Sequence, residues 1–232
     1  MSTYKNLQLI FILIPIFCLS QNLEIIYKLN YKSKKEYYYK LVINDNNSDF
    51  YMIKNNSIKI DSVKENNKNL IIVKRGDLLK VISDEAELKV QSEINPLKKW
   101  NLNEKHKNEE SFELFYAENY YNDSLWKCWY TKDIQISDGP FIFKNLPGLV
   151  YEISDDKNDF KFSLVSIKKI DSKIYNLDNK EIKSINLEKF KKYKITQKDK
   201  DNILIDKMLD IVKLKDFDKS SLITFDPLME LF

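Results

Sequence analysis

Histidine, glycine and cysteine are scarce in this 232-residue chain, which contains one, three and two of them respectively. A Ser-His-Asp or Cys-His catalytic site needs a histidine that its neighbours orient. The one histidine, His106, lies in a charged stretch, residues 103–110, which predicts a solvent-exposed loop. The sequence has no glycine-rich phosphate-binding loop, and it lacks the histidines and cysteines of the common zinc motifs. We therefore assign no catalytic residue, no metal ligand and no cofactor.

A long hydrophobic run is found only at the N-terminus. Lys5 precedes an apolar run at residues 7–19, and the small residues Cys18 and Ser20 suit a cut before Gln21. The run is shorter than the roughly 20 residues of a membrane-spanning helix. A lipidated Cys18 is the alternative, which the bulky preceding residue disfavours. We predict a signal peptide at 1–20 and one domain at 21–232, periplasmic, outer-membrane-associated or secreted, without a transmembrane span.

The mature chain has no strong excess of either charge. Without Lys5, 37 basic residues stand against 35 acidic ones, and the two kinds are interleaved. Such a pattern favours a solvated surface and argues against nucleic-acid binding. Loss of Cys18 with the leader leaves Cys128 alone, so no internal disulfide is expected. Cys128 is interpreted as a buried small hydrophobe, with a reactive thiol as the alternative.

Apolar and polar residues alternate along most of the mature chain, which predicts strands. Turn signals recur about every ten residues, as in an antiparallel meander. Near the C-terminus, Thr196 and Asp199 fit a capping box and predict a helix over 197–214. The apolar tail, residues 222–232, is expected to pack, with Pro227 preventing a helix there. The fold class is mainly β (α+β), a curved antiparallel sheet or half-barrel with a C-terminal helix. The predicted strands include residues 23–32, 36–43, 50–53, 57–63, 70–73, 78–82, 111–118, 149–153 and 160–170.

Aromatic residues concentrate between positions 115 and 143. They have two interpretations: aromatic side chains fill sheet cores, and they also line ligand cavities inside curved sheets. The core interpretation is favoured, and the cavity interpretation supplies candidate ligand-binding residues. These candidates are Trp126, Trp129, Tyr130, Phe141 and Phe143.

Three segments in close succession resemble the GLPGLI family, a group of exported proteins of Bacteroidetes-type bacteria. They are Cys-Trp-Tyr-Thr-Lys-Asp-Ile at 128–134, Asp-Gly-Pro at 138–140, and Phe-Lys-Asn-Leu-Pro-Gly-Leu-Val at 143–150. Weaker similarity extends to the leader, to Trp100 and Ala117, and to residues 226–231. The family box corresponds here to Asn145, Leu146, Pro147, Gly148, Leu149 and Val150.

The chain departs from the family pattern at several positions. Asn145 replaces the first glycine of the box, a change that preserves access to positive φ. Val150 replaces isoleucine, Gln135 replaces a proline, and Leu114 occupies the position of a frequent upstream cysteine. The resemblance implies no established activity. It implies a curved antiparallel sheet distantly like that of periplasmic lipoprotein carriers, and such an analogy of fold says nothing about function.

The box also has a physical interpretation of its own. Gly139-Pro140 and Pro147-Gly148 are unsuited to the middle of a strand. Pro147 followed by Gly148 predicts a type II turn. The expected unit is a rigid corner between a strand ending near Phe143 and the strand at 149–153, with a binding loop as the alternative.

Taken together, these features favour a non-catalytic binding module over an enzyme. Its ligand would be apolar or extended, and its partners are not encoded in the sequence. Two alternatives stay open. One is a structural or interaction component of a cell-envelope complex, docking through a sheet edge or through the tail. The other is a hydrolase that uses carboxylates alone.

Overall fold

The computed structural model describes residues 22–53, 70–84, 89–171, 174, 182–212 and 226–232, with the side chains of 205–212 excepted. The predicted leader and the strand predicted at 57–63 lie outside the described residues. Within this part of the chain no helix is long and apolar enough to cross a membrane.

The described residues form a mainly β structure, with one open sheet and one α-helix. Several strands coincide with the alternating segments of the sequence to within two residues. The twelve strands are β1 Leu23–Tyr31, β2 Lys35–Asn44, β3 Asn47–Ile53, β4 Ile71–Arg75, β5 Leu78–Asp84, β6 Lys89–Ile94, β7 Asn101–Glu109, β8 Phe112–Tyr121, β9 Ser124–Thr131, β10 Leu149–Asp155, β11 Phe160–Lys169 and β12 Lys183–Ser184.

The sheet consists of two meanders that meet at its centre. Its order is β12-β6-β5-β4-β3-β2-β1-β11-β10-β9-β8-β7, and every pairing is antiparallel except that of β12 with β6. Strands β1–β6 follow one another across one half, and β7–β11 do so across the other. The two halves meet where β1 pairs with β11, from Leu23 opposite Lys169 to Tyr31 opposite Phe160.

The sheet is covered with apolar side chains on both faces of its central strands. On β1, Ile25, Tyr27 and Leu29 belong to the larger core cluster, whereas Ile26 belongs to a smaller cluster on the other face. This explains why β1 is buried almost throughout. The larger cluster also contains residues 141–143 of the loop between β9 and β10, and parts of the helix and the tail.

The helix, α1 Leu187–Val212, begins ten residues before its predicted start. Its N-cap is Asn186, whose side-chain oxygen accepts a hydrogen bond from the Lys189 N–H at 2.8 Å. Thr196 lies inside the helix, where its hydroxyl donates to the Lys192 carbonyl. The capping box prediction was therefore wrong, because Thr196 bonds backward along a helix already formed. Phe190 anchors the first turn and is fully buried.

The described part of the tail, residues 226–232, packs as predicted, but the expectation that Pro227 prevents a helix there was wrong. A short 3-10 helix runs from Pro227 to Glu230. Proline suits the first helical position, where no N–H is needed, and Asp226 caps the turn by accepting from the Leu228 N–H at 3.0 Å. Leu228 and Leu231 are buried.

His106 is exposed, as predicted, but it lies in a strand and not in a loop. Strand β7 lies at one edge of the sheet, and its side chains are largely exposed on both faces, so it shows no alternation of apolar and polar residues. Its charged side chains are typical of an edge that avoids unwanted pairing.

Candidate functional site

An irregular loop, residues 132–148, joins β9 to β10. It contains the first four residues of the box defined above, 145–148, and the last two lie in β10. The predicted strand ending near Phe143 does not form. The type II turn is also wrong, because Gly148 does not have the positive φ that this turn requires. Gly148 is needed for space instead, since an added Cβ would overlap the carbonyl oxygen of Thr131. Asn145 has a φ of 67°, a positive value of the kind that asparagine was expected to accept in place of glycine.

At the centre of this loop lies a buried ion pair. Lys144 donates to one carboxylate oxygen of Asp138 and to the Gly139 carbonyl, and both charged side chains are only 2% exposed. The other Asp138 oxygen accepts from Ser48 at 2.9 Å and from Lys74 at 3.3 Å. The first oxygen also accepts from the Gly139 N–H at 2.7 Å. All the hydrogen-bonding capacity of Asp138 is thus used within the fold.

The same contacts set the ionisation of the pair. Burial pushes the pKa of Asp138 upward, but the ammonium groups of Lys144 and Lys74 outweigh it and hold that pKa below its ordinary value. Burial is also the largest influence on Lys144 and lowers its pKa, while Asp138 opposes the shift. Asp138 is therefore a carboxylate held in its charged form, which suits a structural anchor better than a proton donor.

The loop is tied to the connection between β6 and β7, residues 95–100. The Trp100 indole N–H donates to the Lys144 carbonyl at 2.8 Å, and the Leu97 N–H donates to the Ile142 carbonyl at 3.3 Å. The Asn145 side chain donates to the Leu97 carbonyl at 3.0 Å. Sequence reasoning did not identify Lys144 as a site residue. The available signal was a lysine next to the apolar run 141–143.

The structure brings three of the five candidate ligand-binding aromatics together. The ring centroids of Trp126 and Phe143 are 4.3 Å apart, and those of Phe141 and Phe143 are 6.0 Å apart. These three and Tyr130 are at most 2% exposed and belong to the larger core cluster. Trp129 points to the opposite face of β9 and is partly exposed there.

Trp129 has an environment of its own. Its ring packs edge-on against Tyr116 at 5.2 Å, and the Lys107 ammonium lies 4.7 Å from its centroid. Cys128, next to it in the chain, points into the core and is fully buried, as the favoured interpretation predicted. Burial raises the pKa of the Cys128 thiol well above its ordinary value, which disfavours the reactive thiolate.

Two concave regions flank the ends of β5 and β6. A pocket of about 400 Å³ adjoins the loop and is lined in part by Lys74, Asp77, Lys98 and Lys144. A groove of about 620 Å³ follows the β6 edge and the start of α1. The groove is lined in part by Lys80, Ser92, Glu93, Lys183 and Lys189.

The tail holds two carboxylates, each bonded to a tyrosine of the sheet. Tyr39 donates to Asp226 at 2.7 Å, and Tyr31 donates to Glu230 at 2.6 Å. Burial raises the pKa of Asp226 to about 6. Burial acts in the same direction on Glu230, but hydrogen bonds from Tyr31 and Lys32 outweigh it and lower that pKa. The pair fastens the tail to β1 and β2.

These features define a class of protein, a mainly β domain whose open sheet packs against an irregular loop with a buried ion pair. The described residues include no group of three or more His, Cys, Asp and Glu side chains suited to a metal ion. No protein-family model matches the chain, and no curated protein matches it.

Solved structures with a similar fold are found. The structure of PNGF-II in space group C2 matches with a TM-score of 0.58 and 17% sequence identity. The match covers 75% of this chain and 32% of the PNGF-II chain. A second crystal form of PNGF-II, in space group P21, matches with a TM-score of 0.59 and 16% sequence identity. This match covers 75% of this chain and 33% of the PNGF-II chain. An uncharacterized conserved protein from Thermus thermophilus matches with a TM-score of 0.43 and 10% sequence identity. This match covers 72% of this chain and 91% of the Thermus chain. This chain spans about a third of the PNGF-II length, and the likeness to PNGF-II is one of fold alone.

Proposed function

We propose that this protein is an exported, non-catalytic binding module of the GLPGLI type, and that its ligand is an extended polypeptide held along strand β6. The leader pattern at 1–20 supports export, and the three ordered segments at 128–150 support the family. The single observation on which the proposed ligand rests is the groove of about 620 Å³ at the β6 edge.

A curved, half-barrel sheet is part of this proposal. Strands β6 and β7 are ten strand spacings apart in the sheet order, about 48 Å if the sheet were flat. The connection at residues 95–100 reaches at most about 25 Å when fully extended. Curvature that brings the two halves toward each other accounts for the difference.

Within such a sheet the concave side is occupied by the chain itself. The loop at 132–148 places Phe141 and Phe143 in the larger core cluster, and Phe190 and Leu228 join them from α1 and the tail. An apolar ligand would have to displace these side chains. The groove at the β6 edge needs no such displacement, which favours the extended ligand over the apolar one.

The β6 edge already accepts a strand. Strand β12 pairs in parallel with Val90 and Gln91, and the Ile185 N–H donates to the Gln91 carbonyl at 2.9 Å. The chain then turns into α1, so β12 pairs with only two of the six β6 residues. Because backbone groups alternate sides along a strand, Glu93 presents its N–H and C=O to the same edge as Gln91. Strand addition at Glu93 would extend the pairing that β12 begins.

The groove also indicates the ligand's charge. Among the described residues that line the groove, the basic side chains are Lys80, Lys183 and Lys189, and Glu93 is the one acidic side chain. An extended segment with acidic side chains would complement this excess of positive charge. A segment of another exported protein fits this description, so the proposal includes the predicted role in a cell-envelope complex.

The test uses a panel of octapeptides that alternate acidic and apolar residues, titrated by fluorescence anisotropy. Glu93→Pro removes the N–H that faces the edge, at a position where proline is tolerated. Glu93→Ala keeps the N–H and removes only the carboxylate, and it is the matched control. We expect saturable binding to the unmodified protein and to Glu93→Ala, and at least tenfold weaker binding to Glu93→Pro. Absence of binding across the panel, or equal binding by both variants, overturns the proposal.

A further inference from the structure

A second site is suggested by the pocket of about 400 Å³ beside the loop. Three parts of the chain enclose it. They are the end of β4 with its turn into β5, the segment that follows β6, and the loop at Lys144 and Asn145. The pocket shares no lining residue with the groove of the proposed function, so the two sites are separate.

The charges around this pocket do not balance. Lys144 and Asp138 neutralise each other in the interior, and Arg75 is paired with Asp49 at 2.9 Å. Lys74 lies 3.3 Å from the second oxygen of Asp138, a carboxylate already bonded to Lys144. The Lys74 ammonium also donates to the Ser137 carbonyl at 3.4 Å, and its side chain is 18% exposed and lines the pocket.

The remaining charges leave this excess in place. Lys98 is exposed and lines the pocket from the segment that follows β6, and Asp77 is the only acidic side chain among the described residues that line the pocket. Because Asp138 neutralises Lys144, the excess comes from Lys74 and Lys98 against the single charge of Asp77. The pocket therefore presents a positive potential that its own residues do not cancel.

We propose that this pocket binds a small oxyanion, a phosphate or a carboxylate, through the ammonium groups of Lys74 and Lys98. Charge-assisted hydrogen bonds from these two lysines, which come from β4 and from the segment after β6, would hold such a group. The Lys144–Asp138 pair fixes the floor of the site by anchoring the loop, and it does not itself donate to the ligand. The family box thus contributes a wall of the site through Asn145.

The experiment titrates the full chain with inorganic phosphate and, separately, with succinate, at constant ionic strength set with sodium chloride. Backbone amide shifts of Gly76 and Asn145 report on the pocket. We expect saturable shifts at both positions, and comparison of the two titrations identifies the preferred oxyanion. Shifts that do not saturate, or that are spread over exposed lysines elsewhere, overturn the proposal.

Neighbouring lysines provide a matched pair of variants. Lys98→Gln removes a charge that lines the pocket, whereas Lys99→Gln removes the same charge one residue outside it. We expect about tenfold weaker binding for Lys98→Gln, the loss of one charge-assisted hydrogen bond, and unchanged binding for Lys99→Gln. Equal effects of the two variants would show nonspecific attraction and overturn the proposal. Glu93→Pro should leave oxyanion binding intact, which separates this site from the peptide groove.

Discussion

Lys144 and Asp138 lie six residues apart in one loop and neutralise each other in the protein interior. Removal of either charge leaves the other buried without its main partner. We expect Lys144→Met to lower the free energy of unfolding by about 3 kcal/mol, because the Asp138 carboxylate then retains only Lys74 and Ser48 as side-chain partners. Urea unfolding measures this change.

The control is the double variant Asp138→Asn/Lys144→Met, which removes both charges. Its loss of stability should be smaller than the sum of the two single losses, since neither charge is left unpaired. Additive losses would mean that the two residues do not interact as the structure indicates.

The glycine of the box is required for close packing. Gly148→Ala should cost more than about 3 kcal/mol of unfolding free energy, because the new methyl group would overlap the Thr131 carbonyl oxygen. Gly76→Ala is the control, with positive φ but open space around the added Cβ, and its cost should be about 1 kcal/mol. Thermal unfolding distinguishes the two, and equal costs would show that the overlap with the Thr131 carbonyl oxygen is relieved and is not decisive.

Asn145→Gly tests the other end of the box. Both residues accept the observed positive φ, so the backbone is not strained by the change. The variant loses the side-chain hydrogen bond to the Leu97 carbonyl. We therefore expect a loss of only about 1 kcal/mol. A loss as large as that of Gly148→Ala in the same thermal assay would contradict this account.

Asp226 should make stability depend on pH. Its pKa rises from 3.8 in the unfolded chain to about 6 in the folded protein, so the folded state binds the proton more tightly. Its contribution is therefore favourable at low pH and is lost as pH rises from about 4 to about 6. Because the residue as a whole is only half-buried, we expect a decrease of only about 1–2 kcal/mol.

Asp226→Asn should abolish this decrease, since an amide oxygen can still accept from Tyr39 and from the Leu228 N–H. Asp45→Asn, at an exposed turn, is the control. Urea unfolding at about pH 4 and about pH 7 gives the two free energies for each protein. An unchanged pH dependence in Asp226→Asn would refute the assignment.

Cys128 should be chemically inert while the protein is folded. The side chain is fully buried and the pKa of its thiol is raised. The reactive thiolate form is therefore disfavoured, and the sulfur is inaccessible to reagents in solution. We expect a thiol reagent such as DTNB to leave Cys128 unmodified in native protein that lacks Cys18, residues 21–232, and to modify it rapidly in guanidinium chloride. Rapid modification of the native protein would place Cys128 at an accessible surface.

The strands that alternate apolar and polar residues were predictable from the sequence. Strands β1, β2, β10 and β11 follow the predicted segments closely, because one or both faces are buried and the period of two is preserved. Strand β7 was predicted as a loop, because an exposed edge strand shows no such pattern. The start of α1 was missed because Asn186 was not recognised as its cap.

The candidate site was less predictable than the fold. Asp138 and Lys144 lie in the segments 138–140 and 143–150 that resemble the GLPGLI family. A pattern of residue types does not reveal that their two charges meet in the interior. Their pairing depends on Ser48 and Lys74, which come from distant strands. The order of strands was also hidden, since no local signal indicates that β1 pairs with β11. Non-local pairing is decided by the packing of the whole sheet.

The meeting of β1 and β11 at the centre of the sheet has a kinetic consequence. Each meander joins strands that are neighbours in the chain, so its hairpins have low contact order. The β1–β11 seam joins the first strand to the eleventh, and it cannot close until nearly the whole sheet has been synthesised. Until then, one edge of β1 stays unpaired beside Ile25, Tyr27 and Leu29. A newly made chain is therefore most prone to aggregation at its own first strand, the segment that a holding chaperone would need to cover.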